Sequence, residues 1–317
     1  MLCRQSEGRH RERPRSEPKP QLRWPLAAAI AAIPLTGCGG GVLDPRGPVA
    51  ASVLLILYDS LTIMMAIAVP VILATAGFAW WFRSSNGRAF YWPDWEFSGH
   101  LELILWAIPA LVITFLGGIA WFGSYALDPF RPLAGTTKPV EIQVVSLDWK
   151  WLFLYPDEGI ASVNVLAIPV GAPVHFRLTS SGVMNSFFVP QLGSQIYSMA
   201  GMTSQLHLKA DEPGTYRGFS ANFSGAGFSG MHFDVRALPA DAYAKWIADA
   251  KSAGEALDRE RYAELVKPSE DVKPATFRAF EPGLFNAIVN GTAPQPPAAS
   301  YEAPGGEGAP ATTQGGS

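Results

Sequence analysis

Two long apolar runs near the amino terminus constrain this chain more than any other feature. They cover residues 60–82 and 101–125, and Glu102 is the only acidic or basic side chain in either run. At about 1.5 Å per residue, a helix of either length crosses a hydrocarbon core of roughly 30 Å. The runs predict a transmembrane helical hairpin over residues 60–125, and the alternative is a pair of buried core helices.

A basic segment and a short apolar run precede the predicted hairpin. The apolar run, Trp24–Leu35, is shorter than the roughly 20 residues that a spanning helix needs. A basic region followed by such a run is typical of a secretory signal peptide, which we place at residues 1–37. The basic residues of this leader are Arg4, Arg9, Arg11, Arg13, Arg15, Lys19 and Arg23. The leader is long, and either the true start lies later or the leader is an extended one.

The signal run ends in Leu35-Thr36-Gly37-Cys38, which resembles the lipobox of bacterial lipoproteins. Cleavage before Cys38 and acylation of its sulfur are therefore predicted, and the alternative is a chance cysteine. Residues 38–59 then form an exported segment. With Cys38 outside the cytoplasm, two spans place the loop 83–100 inside and everything after Tyr125 outside. Arg83 and Arg88 agree with the positive-inside rule.

The hydrophobic period changes after Pro139. Val140–Val144 alternates between apolar and polar residues, as a half-buried strand does. Short runs rich in strand-forming residues follow, separated by turn sequences such as Pro156–Gly159 and Asp211–Gly214. This pattern predicts an all-β sandwich or barrel over residues 138–238.

The last part of the chain is predicted to be partly helical. Residues 240–285 contain Tyr243, Trp246 and Ile247 at the spacing of one helix face, so an amphipathic surface helix is expected there. We expect this segment to lie on the sandwich or on the membrane surface. Residues 291–317 are rich in Pro, Gly, Ala and Thr, and a disordered tail is predicted.

The segment Gly218–Met231, GFSANFSGAGFSGM, resembles the copper-binding loop of subunit II of the haem–copper terminal oxidases. Copper-bearing members carry two cysteines four apart, a histidine four residues further on and then a methionine, with another histidine upstream. Almost all of these ligands are replaced here. The corresponding positions are Asn185, Ser220, Asn222, Ser224, Phe228 and Met231.

The resemblance is to the copper-less quinol-oxidase branch, of the cytochrome bo type. It also rests on the strings VVSLDWKWLFLYP and VMNSFFVPQLGSQIYSMAGM. It implies a cupredoxin-like sandwich with no cofactor of its own. It also implies a proton-pumping complex that oxidises ubiquinol, with haems and copper in subunit I and with subunits III and IV as further partners. The implied location is the bacterial inner membrane, with the sandwich on the periplasmic side. Formal net charge is only −3, which gives no indication of a nucleic-acid partner.

The residues exclude a thiolate copper site without any help from the family. Cys3 and Cys38 are the only cysteines, and both lie far upstream of the sandwich. Bridging thiolates are the ligands that hold a binuclear copper centre. His175, His207 and His232 fall in separate strand-like segments, and we expect ordinary strand or surface histidines with no second histidine nearby.

Glu102 is the carboxylate inside the second apolar run, at its cytoplasmic edge. An acid in a membrane span is a candidate functional group by default. Its surroundings, HLELILWAIP, resemble the family's second helix, where a glutamate lies near the entrance of a proton-uptake pathway in subunit I. The alternative is an interfacial glutamate that reaches the headgroups.

Two other functions fit parts of the sequence. One is a copper-bearing cytochrome c oxidase subunit, which the replaced ligands contradict. The other is a membrane-anchored lipoprotein with no respiratory role, against which only the motif strings argue. Trp149 and Trp151 border the electron entry route in copper-bearing relatives, but here we expect them to serve as sandwich core or as a subunit contact.

Overall fold

The computed structural model describes residues 41–296, apart from residues 91, 95, 136 and 253. The predicted signal peptide, the lipidation site Cys38 and most of the predicted tail lie outside the described residues. Five α-helices follow a short 3₁₀ turn at Gly41–Leu43. They are α1 (Pro48–Trp81), α2 (Gly99–Ala126), α3 (Ala240–Ser252), α4 (Arg259–Leu265) and α5 (Leu284–Val289).

Helix α1 begins well before the apolar run that the sequence marks at residue 60. Pro48 occupies the first turn, where the missing N–H is not needed and its fixed φ suits a helix. Residues 53–58, VLLILY, are apolar, so the helix continues unbroken through Asp59. Asp59 therefore lies within a longer apolar helix and does not mark the end of one.

Helices α1 and α2 are long and apolar enough to cross a membrane, and the most apolar stretch of each is not buried by other parts of the chain. They touch where Ile56 approaches Gly123. A Cβ on Gly123 would lie 2.9 Å from Cδ1 of Ile56, so the absence of a side chain permits the close contact. The hairpin thus presents nearly all of its apolar surface outward.

The described chain also contains thirteen strands. They are β1 (Val140–Leu147), β2 (Lys150–Tyr155), β3 (Ile160–Val163), β4 (Val165–Pro169), β5 (Val174–Ser180), β6 (Asn185–Phe188), β7 (Ile196–Ser198), β8 (Ser204–Leu208), β9 (Gly214–Ser220), β10 (His232–Leu238), β11 (Ala256–Leu257), β12 (Ala275–Phe277) and β13 (Ala279–Phe280).

Two sheets pack face to face as a β-sandwich. The first has the order β12-β3-β2-β1-β5-β8 and the second β4-β10-β9-β6-β7, while β11 and β13 form a separate parallel pair. Strands β1 and β5 run parallel, as do β4 and β10, and the other pairs within the two large sheets are antiparallel. The expected all-β sandwich is confirmed, and β12 of the later segment is added at one edge.

Aromatic rings fill the space between the sheets. The ring of Trp151 lies 5.4 Å from that of Phe187 and 5.6 Å from that of Phe233, and Phe153 adds a contact of 5.2 Å to Phe233. Gly218 lies directly beneath this cluster, where a Cβ would come within 2.1 Å of the Phe233 ring. The core therefore requires a strand position without a side chain.

The carboxyl-terminal segment covers the outer face of the first sheet. Tyr262, Phe277 and Phe285 pack with Leu152 and Leu154 in a second apolar cluster. This explains why every residue of β2 is buried, since both faces of that strand are covered. The alternation that predicted a half-buried strand holds at the start of β1 and ends where this second cover begins. The segment lies on the sandwich, one of the two places expected for it.

The segment before α1 is fixed to the base of the sandwich. The N–H of Arg46 donates to the carbonyl of Gln191 at 2.7 Å, and the N–H of Asp211 donates to the carbonyl of Arg46 at 2.8 Å. The Arg46 side chain pairs with Asp44 and Glu212. Ordered backbone thus leads from the sandwich directly into the first turn of α1.

Candidate functional site

The copper-loop positions meet at one end of the sandwich. Ser220 ends β9, Met231 directly precedes β10, and a 3₁₀ turn at Ala226–Gly230 lies in the loop between them. Asn185 begins β6, which pairs with β9. The pairing of these strands therefore brings the upstream position to the loop.

Hydrogen bonds connect most of these positions to one another. The Ser220 hydroxyl lies 2.9 Å from Oδ1 of Asn185 and 3.2 Å from the carbonyl of Asn222. The Ser224 hydroxyl lies 3.8 Å from the sulfur of Met231. Asn185, Ser220 and Met231 are almost completely buried. The Ser220 hydroxyl thus pairs with Asn185, while the amide groups of Asn185 and Asn222 donate to the backbone carbonyls of Val183 and Met184.

These side chains have little capacity to hold copper. Serine hydroxyls and the two asparagine amides are hard, neutral oxygen donors, whereas a binuclear copper centre depends on thiolates and imidazoles. The thioether of Met231 is the single soft donor among the six positions. Across the part of the chain that the structure describes, no three or more His, Cys, Asp or Glu side chains group as a metal site.

Trp149 forms the floor of the loop. Its indole N–H donates to the carbonyl of Ser224 at 3.1 Å, and its backbone adopts a positive φ of 63°. A Cβ on Gly227 would lie 2.5 Å from the Trp149 ring, so glycine permits the stacking of the loop on the indole. The expected core role is confirmed for Trp151, which is fully buried, whereas Trp149 supports the loop.

Phe228 occupies the position of the loop histidine in copper-bearing relatives. Its ring packs edge-on against Phe223 at 5.6 Å. Phe223 itself is 70% exposed. The end of the sandwich where a metal centre would lie therefore presents an aromatic surface.

The expectation that no histidine has a second histidine nearby is wrong for one pair. His175 on β5 and His207 on β8 are directly opposite in the strand register, and their rings stack at 4.5 Å with planes 8° apart. His207 Nδ1 contacts the carbonyl of Pro129 at 3.1 Å. The pairing of strands distant in sequence produces this contact, and spacing along the chain does not reveal it.

Glu102 lies in the first turn of α2 with an exposed side chain. A carboxylate at this end of a helix interacts favourably with the helix dipole. The remaining described histidines, His100 and His232, are also exposed. The role of Glu102 in proton entry stays a prediction.

Sequence reasoning overlooked Lys150, whose side chain is buried at the start of β2. Its ammonium donates to Ser269 Oγ at 2.6 Å and to the carbonyl of Lys267 at 2.8 Å. Burial lowers the pKa of Lys150 to about 8, and nearby Asp148 partly opposes this shift. The lysine fastens the carboxyl-terminal segment to the sandwich. The only sign of this burial in the sequence is the position of Lys150 between two tryptophans in DWKW.

Comparisons with known proteins agree with this fold and site. Residues 111–238 match the family model for the periplasmic domain of cytochrome c oxidase subunit II. Residues 251–292 match the model for the COX aromatic-rich motif, which corresponds to the covering segment. The fold and the loop therefore define the class: subunit II of the respiratory oxidases.

Three curated relatives narrow the class further. Cytochrome bo(3) ubiquinol oxidase subunit 2 of Pseudomonas aeruginosa is 47% identical over 275 residues, which cover 87% of this chain and 82% of the relative. Ubiquinol oxidase subunit 2 of Acetobacter aceti is 48% identical over 267 residues, with 83% and 86% covered. The Pseudomonas putida cytochrome bo(3) subunit is 46% identical over 256 residues, with 81% and 82% covered. The chain belongs to the ubiquinol oxidase subunit 2 family, and the resemblance seen in the sequence is confirmed.

Proposed function

We propose that this chain is the second subunit of a respiratory ubiquinol oxidase, and that it holds no copper of its own. The names of its relatives support the first part, because they are subunits of ubiquinol oxidases. The loop supports the second part, because five of the six ligand positions hold serine, asparagine or phenylalanine and only Met231 keeps its type. Ser220 hydrogen-bonds to Asn185, and Phe228 packs on the neighbouring Phe223.

The loss of the ligands makes physical sense for a quinol oxidase. Ubiquinol dissolves in the bilayer and can reach a membrane-embedded partner subunit directly. An exported copper centre is needed only when electrons arrive from a soluble protein. Haems, the active-site copper and oxygen reduction then belong to subunit I, and this chain stabilises and caps that subunit. Subunits III and IV complete the proposed assembly.

The membrane location follows the same reasoning. The two apolar helices and the periplasmic-type domain fit a membrane-anchored oxidase subunit. We assign it to the bacterial inner membrane, with the sandwich on the periplasmic side and a lipid on Cys38. Mass spectrometry of the mature chain tests the lipid, since acylation adds a diacylglycerol to the first residue. An unmodified mature amino terminus, or one at another residue, would contradict it.

Electron donor and metal content test the central proposal. The purified complex is expected to oxidise ubiquinol and to be inert toward a reduced soluble cytochrome c. Copper analysis combined with near-infrared absorption is expected to find no copper bound by this subunit. Copper in stoichiometric amounts on this chain, or turnover with cytochrome c as the sole donor, would favour the copper-bearing alternative.

The proposed role of Glu102 has its own test. Glu102→Gln keeps the size of the side chain but removes its charge, so uptake of protons from the cytoplasm is expected to slow while assembly is retained. Glu96→Gln is the matched control, because Glu96 is exposed in the same inter-helix loop region. Equal turnover and pumping in both variants would leave Glu102 as an interfacial residue only.

A further inference from the structure

Helix α1 contains a carboxylate, Asp59, between two apolar stretches of the same helix. Residues 53–58 before Asp59 are apolar, and so is nearly every residue after it up to Trp81. Three or so turns of helix precede Asp59, so it is not at a helix end. Its side chain is exposed, and within the described chain it has no hydrogen bond or ion pair.

The contact between the two long helices sets the level of Asp59. Ile56 meets Gly123 of α2, whose apolar run continues outward to Tyr125. Asp59 lies three residues further from that outer end than Ile56, which is about 4.5 Å along the helix axis. This places it close to the level of Trp121, whose ring packs on Tyr125 at 5.2 Å. Tryptophan and tyrosine mark the edge of the hydrocarbon, and the short aspartate side chain has little reach toward water.

A second polar group lies on the same face of α1. Pro70 has no N–H, so the carbonyl of Ala66 lacks its regular helical donor. Residues 59, 62, 66 and 70 recur at helical spacing and share one face. We call this the Asp59 face, made of Asp59, Thr62, Ala66 and Pro70. All four residues are exposed, whereas Ile56, Ile63 and Ile67 beside them are half-buried.

The hydrocarbon of the bilayer does not satisfy the groups on this face. Lipid tails offer no donor to the free carbonyl of Ala66, and a polar group left unpaired among them costs several kcal/mol. At the edge of the hydrocarbon, the short Asp59 side chain gains a donor only from a headgroup or from a neighbouring protein. A second copy of this chain would bring two Asp59 carboxylates together, which repel each other. The small side chain of Ala66 and the ring of Pro70 leave room for close approach of another helix.

We propose that the Asp59 face packs against a transmembrane helix of a partner subunit that presents a Lys or Arg side chain to the Asp59 carboxylate. This inference rests on the proposed function, because it needs a partner subunit in the membrane. Charge complementarity is the reason for this choice of partner. The Lys or Arg of the partner helix pairs with Asp59 near the outer edge of the hydrocarbon, and Ala66 and Pro70 leave room for that helix to pack closely further along α1.

Charge reversal in the intact complex tests this docking surface. The tagged chain carries Asp59→Lys, Asp59→Asn or no change, and the haem-bearing subunit that co-purifies from detergent-solubilised membranes is measured by its absorption. Asp59→Lys is expected to reduce the co-purified haem about tenfold or more, since it places two cations together. Asp59→Asn keeps a polar group and is expected to lose less. Asp94→Lys, a reversal in the exposed loop between the helices, is the control.

A photo-crosslinking residue at Thr62 gives a readout that does not depend on a loss of folding. It is expected to form an adduct with the partner subunit, whereas the same residue at Met64, on another side of α1, is expected to do so much less. Adducts from Thr62 with lipid alone or with a second copy of this chain would overturn the inference.

The two proposals fail in different ways. If the unchanged chain co-purifies with no haem-bearing subunit, the proposed function is wrong. If the unchanged chain and Asp59→Lys co-purify with equal amounts of haem, the function stands and the docking surface is wrong.

Discussion

The helical hairpin and the sandwich use their apolar residues in opposite ways. The sandwich buries its large side chains between two sheets and again under the carboxyl-terminal segment. The hairpin exposes most of its large side chains, such as Phe122 at 74%. The sandwich therefore contains its own stabilising contacts, whereas the hairpin depends on lipid and on neighbouring helices for contacts of this kind.

The sharpest test of this contrast removes one phenylalanine from each region. Phe187 is fully buried among Trp151, Phe176 and Phe233, so Phe187→Ala is expected to lower the free energy of unfolding by about 3–5 kcal/mol. Phe122→Ala is expected to change it by less than about 0.5 kcal/mol. Denaturant unfolding of the detergent-solubilised chain measures both. An equal loss of unfolding free energy in the two variants would contradict the contrast between the sandwich and the hairpin.

Adding a methyl group tests the same contrast from the other side. A Cβ on Gly218 meets the Phe233 ring at 2.1 Å, whereas a Cβ on Gly117 meets nothing within 4 Å. Gly218→Ala is expected to destabilise the chain by about 1–3 kcal/mol because the core is already filled. Gly117→Ala is expected to be neutral or slightly stabilising, since alanine favours helix. Thermal unfolding of both variants measures these changes in stability. An unchanged stability in Gly218→Ala would mean that the core around Phe233 is less tightly packed than the structure shows.

The two regions also differ in how their charged side chains are paired. Lys150 of the sandwich is buried and donates to acceptors of its own chain, whereas Asp59 of the hairpin is exposed. The Lys150 pKa of about 8 lies below the ordinary value of 10.5. The unfolded chain therefore binds more protons between these values, so the free energy of unfolding rises with pH there, by at most about 1.4 kcal/mol per unit.

The measurement is unfolding at pH 7 to 9.5, where Lys150→Met is expected to show a flatter rise than the unchanged chain. Burial raises the pKa of Tyr155 and of Tyr262, which lowers stability only at more alkaline pH. Lys138→Met is the control, since Lys138 is 83% exposed and pairs with Asp157 at the surface. Parallel slopes for Lys150→Met and the unchanged chain would contradict the assignment.

The smallest expected effect lies in the former copper loop. Ser220→Ala removes the donor to the buried amide oxygen of Asn185 and is expected to cost about 1 kcal/mol. Ser224→Ala removes only a weak contact to the sulfur of Met231 and is expected to cost a few tenths of that value. Thermal unfolding compares them, and a larger effect for Ser224→Ala would mean that the loop is held by different contacts.

The sequence predicted local features of this molecule well and distant contacts poorly. The hairpin, the sandwich and the loop spacing follow from patterns within short windows. The start of α1 at Pro48 was missed, because Asp59 resembles a boundary although helical hydrogen bonding does not depend on side-chain polarity. The stacking of His175 on His207 depends on the register of two strands, and the bond from Lys150 to Ser269 joins segments far apart in the chain.

The site shows the same division. The replaced ligands at Ser220, Ser224 and Phe228 can be identified by counting residues within the loop. The contact of Asn185 with Ser220 follows from the pairing of β6 with β9. Trp149, which lies beneath the loop, has a positive φ that is unusual for a tryptophan. Neither the pairing nor the backbone conformation has a signal in a single sequence.

The sandwich contacts the chain just before α1 and just after α2, the two ends of the helical hairpin. Ordered backbone at Arg46 leads into α1, and the carbonyl of Pro129, just after α2, contacts His207. A rotation of the sandwich relative to the helices would break at least one of these contacts. The two attachments therefore favour one orientation of the sandwich on the hairpin.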